Sequence, residues 1–218
     1  MSRNFRYSIL VLTIMFVVTV VPAKAGHLSV EFVKKFRDAL YGGNETVMTL
    51  IVEENRDKIP AEVKALVDEA LLPGARAEDR EDKLYVAESL ATAYKNATGD
   101  IGPLKEAKKR IFESRLSPPV RTVAVKGVHT VEAVSTETVK NVFRPQNIII
   151  KKGETVRWVN NDNAAHLLAS MPVIGAQGIF SPRVEPGQSW DYRFNAPGEY
   201  YYICFIHKVM YGKITVEE

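Results

Sequence analysis

Residues 200–216 read YYYICFIHKVMYGKITV. Two short runs rich in tyrosine, isoleucine, threonine and valine flank a middle segment, the pattern of two strands joined by a loop. Cys204, His207 and Met210 stand three residues apart in that middle segment. They offer a thiolate, an imidazole and a thioether. That soft set suits copper when a second imidazole joins and the thioether stays at long range. A short loop can converge three side chains on one point, so the fourth donor has to come from elsewhere in the chain. His166 is the candidate. It follows Trp158-Val159-Asn160-Asn161-Asp162, the end of an expected strand, lies 38 residues before the cysteine, and precedes a loop over 167–181.

Working upstream, short β-rich runs alternate with turns from Val120 onward. Strands are expected at 122–126, 130–134, 148–150, 155–160, 190–194, 199–203 and 213–216. Lys152-Gly153, Pro186-Gly187 and Pro197-Gly198 supply turns between them. This spacing predicts an antiparallel all-β sandwich or barrel. Ser117-Pro118-Pro119 precedes it and stiffens the connection.

Before those prolines the periodicity is helical. Ser29 is a candidate N-cap for a first helix ending at Gly42-Gly43-Asn44. Further helices are expected over 45–56, 60–72, 77–96 and 103–116. The stretch 85–115 faintly resembles one tetratricopeptide unit. A single unit has no neighbours to stack on, so a plain bundle is expected.

The N-terminus carries Arg3 and Arg6, then 14 almost wholly apolar residues over 8–21, then Pro22 and Ala23-Lys24-Ala25. This is the layout of a secretory signal peptide cut after Ala25. The apolar run falls short of the roughly 20 residues of a spanning helix. The expected organisation is therefore a signal peptide over 1–25, a helical domain over 26–116, a linker and opening strand over 117–128, and a copper domain over 129–218. Export to the periplasm or the extracellular space follows, with membrane attachment only through an uncleaved signal. The signal holds Arg3, Arg6 and Lys24 and no acid. Its removal turns a formal net charge of +3 into 26 basic residues against 26 acidic ones. Nothing electrostatic then argues for nucleic acid as a partner. Cys204 is the single cysteine. An exported chain with one thiol forms no internal disulfide, and metal coordination is one use for that thiol.

Residues 141–218 resemble the cupredoxins, nearest the amicyanin and bacterial plastocyanin-like branch. The likeness runs through the segment Phe143 to Trp158, then Asn160-Asn161-Asp162 to His166. It resumes at Pro186-Gly187, at 196–200 and in the loop Cys204-x-x-His207-x-x-Met210. The resemblance implies a Greek-key sandwich binding one type 1 (blue) copper ion through His166, Cys204 and His207, with Met210 as a long axial ligand. Two positions depart from the family's habit. Leu167 stands where Asn often follows the first histidine, and Phe205 where Ser or Thr often follows the cysteine. The usual side-chain brace between the two loops is therefore in question. The helical region lies outside the resemblance.

Three strong ligands and one weak one leave copper little need to move between oxidation states, and they leave no open position for substrate. The expected function is one-electron transfer between redox partner proteins, not enzymatic catalysis. The expected exit is His207, within an apolar rim of Phe205, Ile206, Val209 and Tyr211 and near the loop 171–174. The alternative is a periplasmic copper carrier or sensor in which the ion is cargo and the helical domain binds a partner. The four histidines, His27, His129, His166 and His207, are too few for a multicopper oxidase. A site built on an N-terminal His27 would require an unfavourable cut after Gly26. His129 is expected at the surface or a strand edge.

Overall fold

The computed structural model describes residues 30–135 and 141–218. The expected signal peptide, His27 and the Ser29 cap lie outside the described residues. None of the described helices is long and apolar enough to cross a membrane.

Among the described residues, five helices come first: α1 (Val30–Tyr41), α2 (Glu45–Glu54), α3 (Ile59–Ala70), α4 (Ala77–Thr98) and α5 (Gly102–Glu113). Local chemistry explains their ends. The Asn44 side chain accepts the Val47 N–H at 3.1 Å and caps α2. Proline stands in the first turn of α3 and of α5, where its missing N–H costs nothing. Gly99 ends α4 with φ 79° and donates its N–H to the Lys95 carbonyl. The apolar stripes meet in one core that includes Phe36, Val52, Ile59, Val67, Leu90 and Ile111. Ala87 and Ala91, fully buried on α4, keep that helix close to its neighbours.

Nine strands follow: β1 (Val120–Arg121), β2 (Val128–Val134), β3 (Val142–Arg144), β4 (Asn147–Lys151), β5 (Thr155–Asn160), β6 (Leu168–Ser170), β7 (Ser189–Arg193), β8 (Gly198–Cys204) and β9 (Tyr211–Glu217). They form a five-stranded sheet, β1-β4-β9-β8-β6, and a four-stranded sheet, β3-β2-β5-β7. Alternate residues of each strand point inward. Val131, Ala133, Phe143, Ile148, Val156, Trp158, Phe194, Tyr202 and Ile214 build the core between the sheets.

The sandwich differs from the antiparallel expectation. β1 with β4, β4 with β9, and β2 with β5 run parallel. A period of two looks the same in either direction, so only long-range pairing settles it. The expected strand at 122–126 is a turn-like segment with a lone bridge between Val125 and Val128. The short strands β3 and β6 had no periodic signal of their own. His129 is not at the surface: it is 2% exposed. Its Nδ1 lies 2.7 Å from Thr122 Oγ1, and its Nε2 lies 2.9 Å from Glu154 Oε2.

The bundle packs on the outer face of the five-stranded sheet. Phe112 of α5 makes edge contacts with Tyr201 and Tyr211, both at 5.3 Å between ring centroids. Ile174 is fully buried in the same cluster, with Met171 and Val173 packed against it. The loop 171–174 thus turns to the helices. A polar cluster edges the contact. Glu113 Oε1 accepts from Tyr201 Oη at 2.6 Å and from Lys213 Nζ at 2.7 Å. Glu199 accepts from Lys213 at 2.6 Å and from Lys109 at 2.7 Å. Each buried aromatic removes about 150–250 Å² from water, worth several times the ~0–1 kcal/mol of an exposed ion pair. The rings therefore hold the layers together, and the charges set their register.

Burial pushes the Glu199 carboxyl up, but the bonds from Lys109 and Lys213 outweigh it and bring it down to about 2. A carboxylate depressed in the folded state adds stability at neutral pH. That contribution is present above the ordinary value of 4.5 and is lost as pH falls toward about 2. Melting curves from pH 6 to pH 3 should therefore show a steeper loss of Tm in the wild type than in Glu199→Gln. Equal slopes would contradict this account.

Candidate metal centre

The hairpin of β8 and β9 builds most of the site. Cys204 ends β8, and its N–H donates to the Met210 carbonyl at 2.8 Å. The Met210 N–H donates to the His207 carbonyl at 2.9 Å. These two bonds close a tight loop. Within it, the His207 N–H points at Cys204 Sγ at 3.4 Å. Met210 and Cys204 are both fully buried members of the sandwich core.

His166 arrives from the connection between β5 and β6. Its backbone exchanges two bonds with Val184, at 3.0 and 2.8 Å. The antiparallel pairing of Leu168 with Cys204 then sets the imidazole beside the sulfur. His166 Nδ1 lies 3.6 Å from Cys204 Sγ, and His207 Nδ1 lies 3.8 Å from it. The two Nδ1 atoms are 3.2 Å apart. Donor atoms of His166, Cys204 and His207 all fall within 4.8 Å of one another. Bonds of about 2.0 Å to nitrogen and 2.3 Å to sulfur place trigonal donors roughly 3.5–3.8 Å apart. The triangle therefore has the size of a first-row metal site. His166 and Cys204 are buried, while His207 reaches the surface half-exposed.

Electrostatics favour a thiolate. Burial pushes the Cys204 thiol up, but the contact with His166 and the N–H groups of Leu167, His207 and Ile206 outweigh it. The thiol is brought down to about 6.

Backbone bonds and upstream residues replace the brace that Leu167 and Phe205 leave open. The Phe205 N–H donates to the Leu167 carbonyl at 2.7 Å and ties the two loops directly. The Ser181 hydroxyl accepts the Leu168 N–H at 2.8 Å. Asn160, 1% exposed, does more. Its Nδ2 donates to the carbonyls of Ala164 and Val184, and its Oδ1 accepts the Asp162 N–H. Behind His166 stands Asp162, whose Oδ2 lies 3.2 Å from Nε2. Both residues lie in the sequence stretch that leads to His166, but nothing in their spacing marked them as supports.

A two-sheet sandwich with sulfur and two imidazoles gathered at one end defines a small mononuclear copper protein. Sequence comparison with known proteins agrees. Residues 130–217 match the copper binding proteins of the plastocyanin/azurin family. The chain is 34% identical over 97 residues to amicyanin-alpha of Methylorubrum extorquens, covering 43% of this chain and 82% of that protein. It is 33% identical over 88 residues to plastocyanin of Scenedesmus fuscus, covering 35% of this chain and 87% of the other. A purple cupredoxin from Nitrosopumilus maritimus aligns structurally with a TM-score of 0.37 and 28% identity, over 40% of this chain and 98% of that one. The chain belongs to the plastocyanin/azurin family, and copper is its cofactor. The helical bundle lies outside the family match.

Removing the Asn160 amide leaves the buried Asp162 N–H without its acceptor and the part-buried Ala164 carbonyl without its donor, and it takes from the Val184 carbonyl one of its two donors, the His166 N–H remaining. Each such group costs about 1–3 kcal/mol. Asn160→Ala is therefore expected to lower unfolding stability by about 2–4 kcal/mol, read by denaturant melts. A loss under about 0.5 kcal/mol would mean that the amide does not brace the loop.

Proposed function

We propose that this chain is an exported one-electron carrier whose type 1 copper would be held by His166, Cys204 and His207, with Met210 as a fourth, weaker donor. The observation that carries this reading is the convergence of the buried Cys204 sulfur and two Nδ1 atoms, all within 4.8 Å of one another. Bound there, copper supplies a reversible one-electron couple. The chain's own part is to hold the donors still. The two-sheet core fixes Cys204 and Met210, the Val184 pairing fixes His166, and the closed loop fixes His207. A site filled by protein donors leaves no place for substrate, so the reading is a carrier and not an enzyme.

His207 is the proposed exit. Phe205 and Val209 are 64% and 69% exposed on its loop, with Ile206 and Lys208 beside them. An apolar rim around one ligand edge suits brief docking through a small interface. The bundle occupies the other flank of the same sheet, so docking is directed to the His207 end. Export rests on the signal-like segment over 1–25 and on a single thiol with metal coordination as its use.

The purified mature protein is expected to begin at Gly26, to bind one copper and to be coloured by a thiolate-to-copper band. Cys204→Ala should abolish that colour, and Met210→Leu should keep it while shifting the reduction potential. Undiminished colour in the cysteine variant would overturn the ligand set. Rapid copper loss to a chelator, with no reversible couple, would favour the cargo reading. Separately, Val209→Lys adds a second positive charge beside Lys208 on the docking rim. It should slow electron self-exchange, read by NMR line broadening, by about tenfold with an unchanged visible spectrum. An unchanged rate would move the docking surface elsewhere.

A further inference from the structure

One buried carboxylate near the site has no part in the ligand set. Asp162 sits four residues before His166, and the side chains of both are 1% exposed. Its Oδ2 is 3.2 Å from His166 Nε2, a close charge contact without hydrogen-bond alignment, and that nitrogen has no hydrogen-bond partner among the described residues. Among the described residues, neutral groups hold the carboxylate elsewhere. Ser135 Oγ donates to Oδ2 at 2.8 Å, and the Asn163 N–H donates to Oδ1 at 2.6 Å. The Ala164 N–H donates as well. Asn160 Oδ1 anchors the Asp162 backbone at 2.9 Å. The aspartate is thus built into the turn and faces the back of a proposed ligand.

We propose that Asp162 is a positioning residue for the copper ligand His166, keeping its proton on Nε2 so that Nδ1 faces Cys204, and biasing the bound ion toward Cu(II) with a buried negative charge. The proposal rests on His166 being a ligand.

Two physical arguments support it. A neutral imidazole carries one N–H, and the ring nitrogen nearer a carboxylate keeps it. With Asp162 at Nε2, the lone pair is left on Nδ1, the atom 3.6 Å from Cys204 Sγ and 3.2 Å from His207 Nδ1. A carboxylate behind a ligating imidazole also makes that ligand more basic. A negative charge in a low-dielectric interior favours the more positive oxidation state by direct Coulomb attraction. Position and charge act through the same contact, but substitution separates them. Asp162→Asn keeps the shape and removes the charge. Ser135→Ala keeps the charge and removes one neutral donor that spreads it, which leaves the anion less compensated.

The test uses the full mature chain. Spectroelectrochemistry should show Asp162→Asn shifted toward Cu(I) by about tenfold, or ~59 mV for a one-electron couple, with the thiolate band retained. Ser135→Ala should shift the other way. Shifts of the same sign in both variants, or no shift in Asp162→Asn, would overturn the proposal, because simple loosening of the turn has no reason to change sign. Nitrogen-15 NMR of the metal-free wild-type chain should find the His166 proton on Nε2. An unprotonated Nε2 would overturn the proposal without reference to copper. Should the wild type take up no copper, the ligand reading falls, while the tautomer measurement still decides whether Asp162 orients His166. Should Asp162→Asn fail to fold, Ser135→Ala and the tautomer decide between them.

Discussion

The pairing of Leu168 with Cys204 across β6 and β8 is the contact on which the molecule depends. It joins two segments that lie far apart in the chain and sets one imidazole against one sulfur. The tight bonds from Cys204 to Met210 and from Met210 to His207 then return the chain past the same point. A sulfur, two imidazole nitrogens and a buried thioether share one end of the sandwich because backbone bonds hold them there. This is costly geometry. Three donors crowd within a few ångströms, and a thiol lies in a place where burial alone would push its pKa up. The surrounding core and the N–H groups around the sulfur offset that cost.

Polar residues at this end do work usually given to hydrophobic packing. Asn160 satisfies two carbonyls and one N–H at once, so a loop without regular structure is fixed as firmly as a strand. Asp162 continues the same network to the back of His166. The support lies upstream of the histidine, and the Phe205–Leu167 backbone bond ties the loops where a side-chain brace was in question. The site is stiff from behind and exposed only at His207.

The helices add a third layer to the two sheets. Phe112, Ile174 and Tyr201 form an apolar contact that no exposed ion pair could match in energy, and Glu113, Lys213 and Glu199 fix its register. Tyr201 and Lys213 belong to β8 and β9, the strands on either side of the ligand loop. The bundle therefore bears on the outer face of the same hairpin whose end carries the site. It also covers the loop 171–174, which the sequence alone had left beside the expected docking rim.

Spacing along the chain was enough to determine the chemical character of this protein. Cysteine, histidine and methionine three residues apart between two β-rich runs offer a set of soft donors, and helical and β periodicities separate the two halves, because both signals are local. Tertiary structure alone decided which strands run parallel, that His129 is buried between Thr122 and Glu154, and that α5 lies on β8 and β9. It alone placed His166 beside Cys204 and set Asp162 behind it. Each of these depends on register between segments distant in sequence. A period of two or 3.6 residues carries no record of which partner lies across the core.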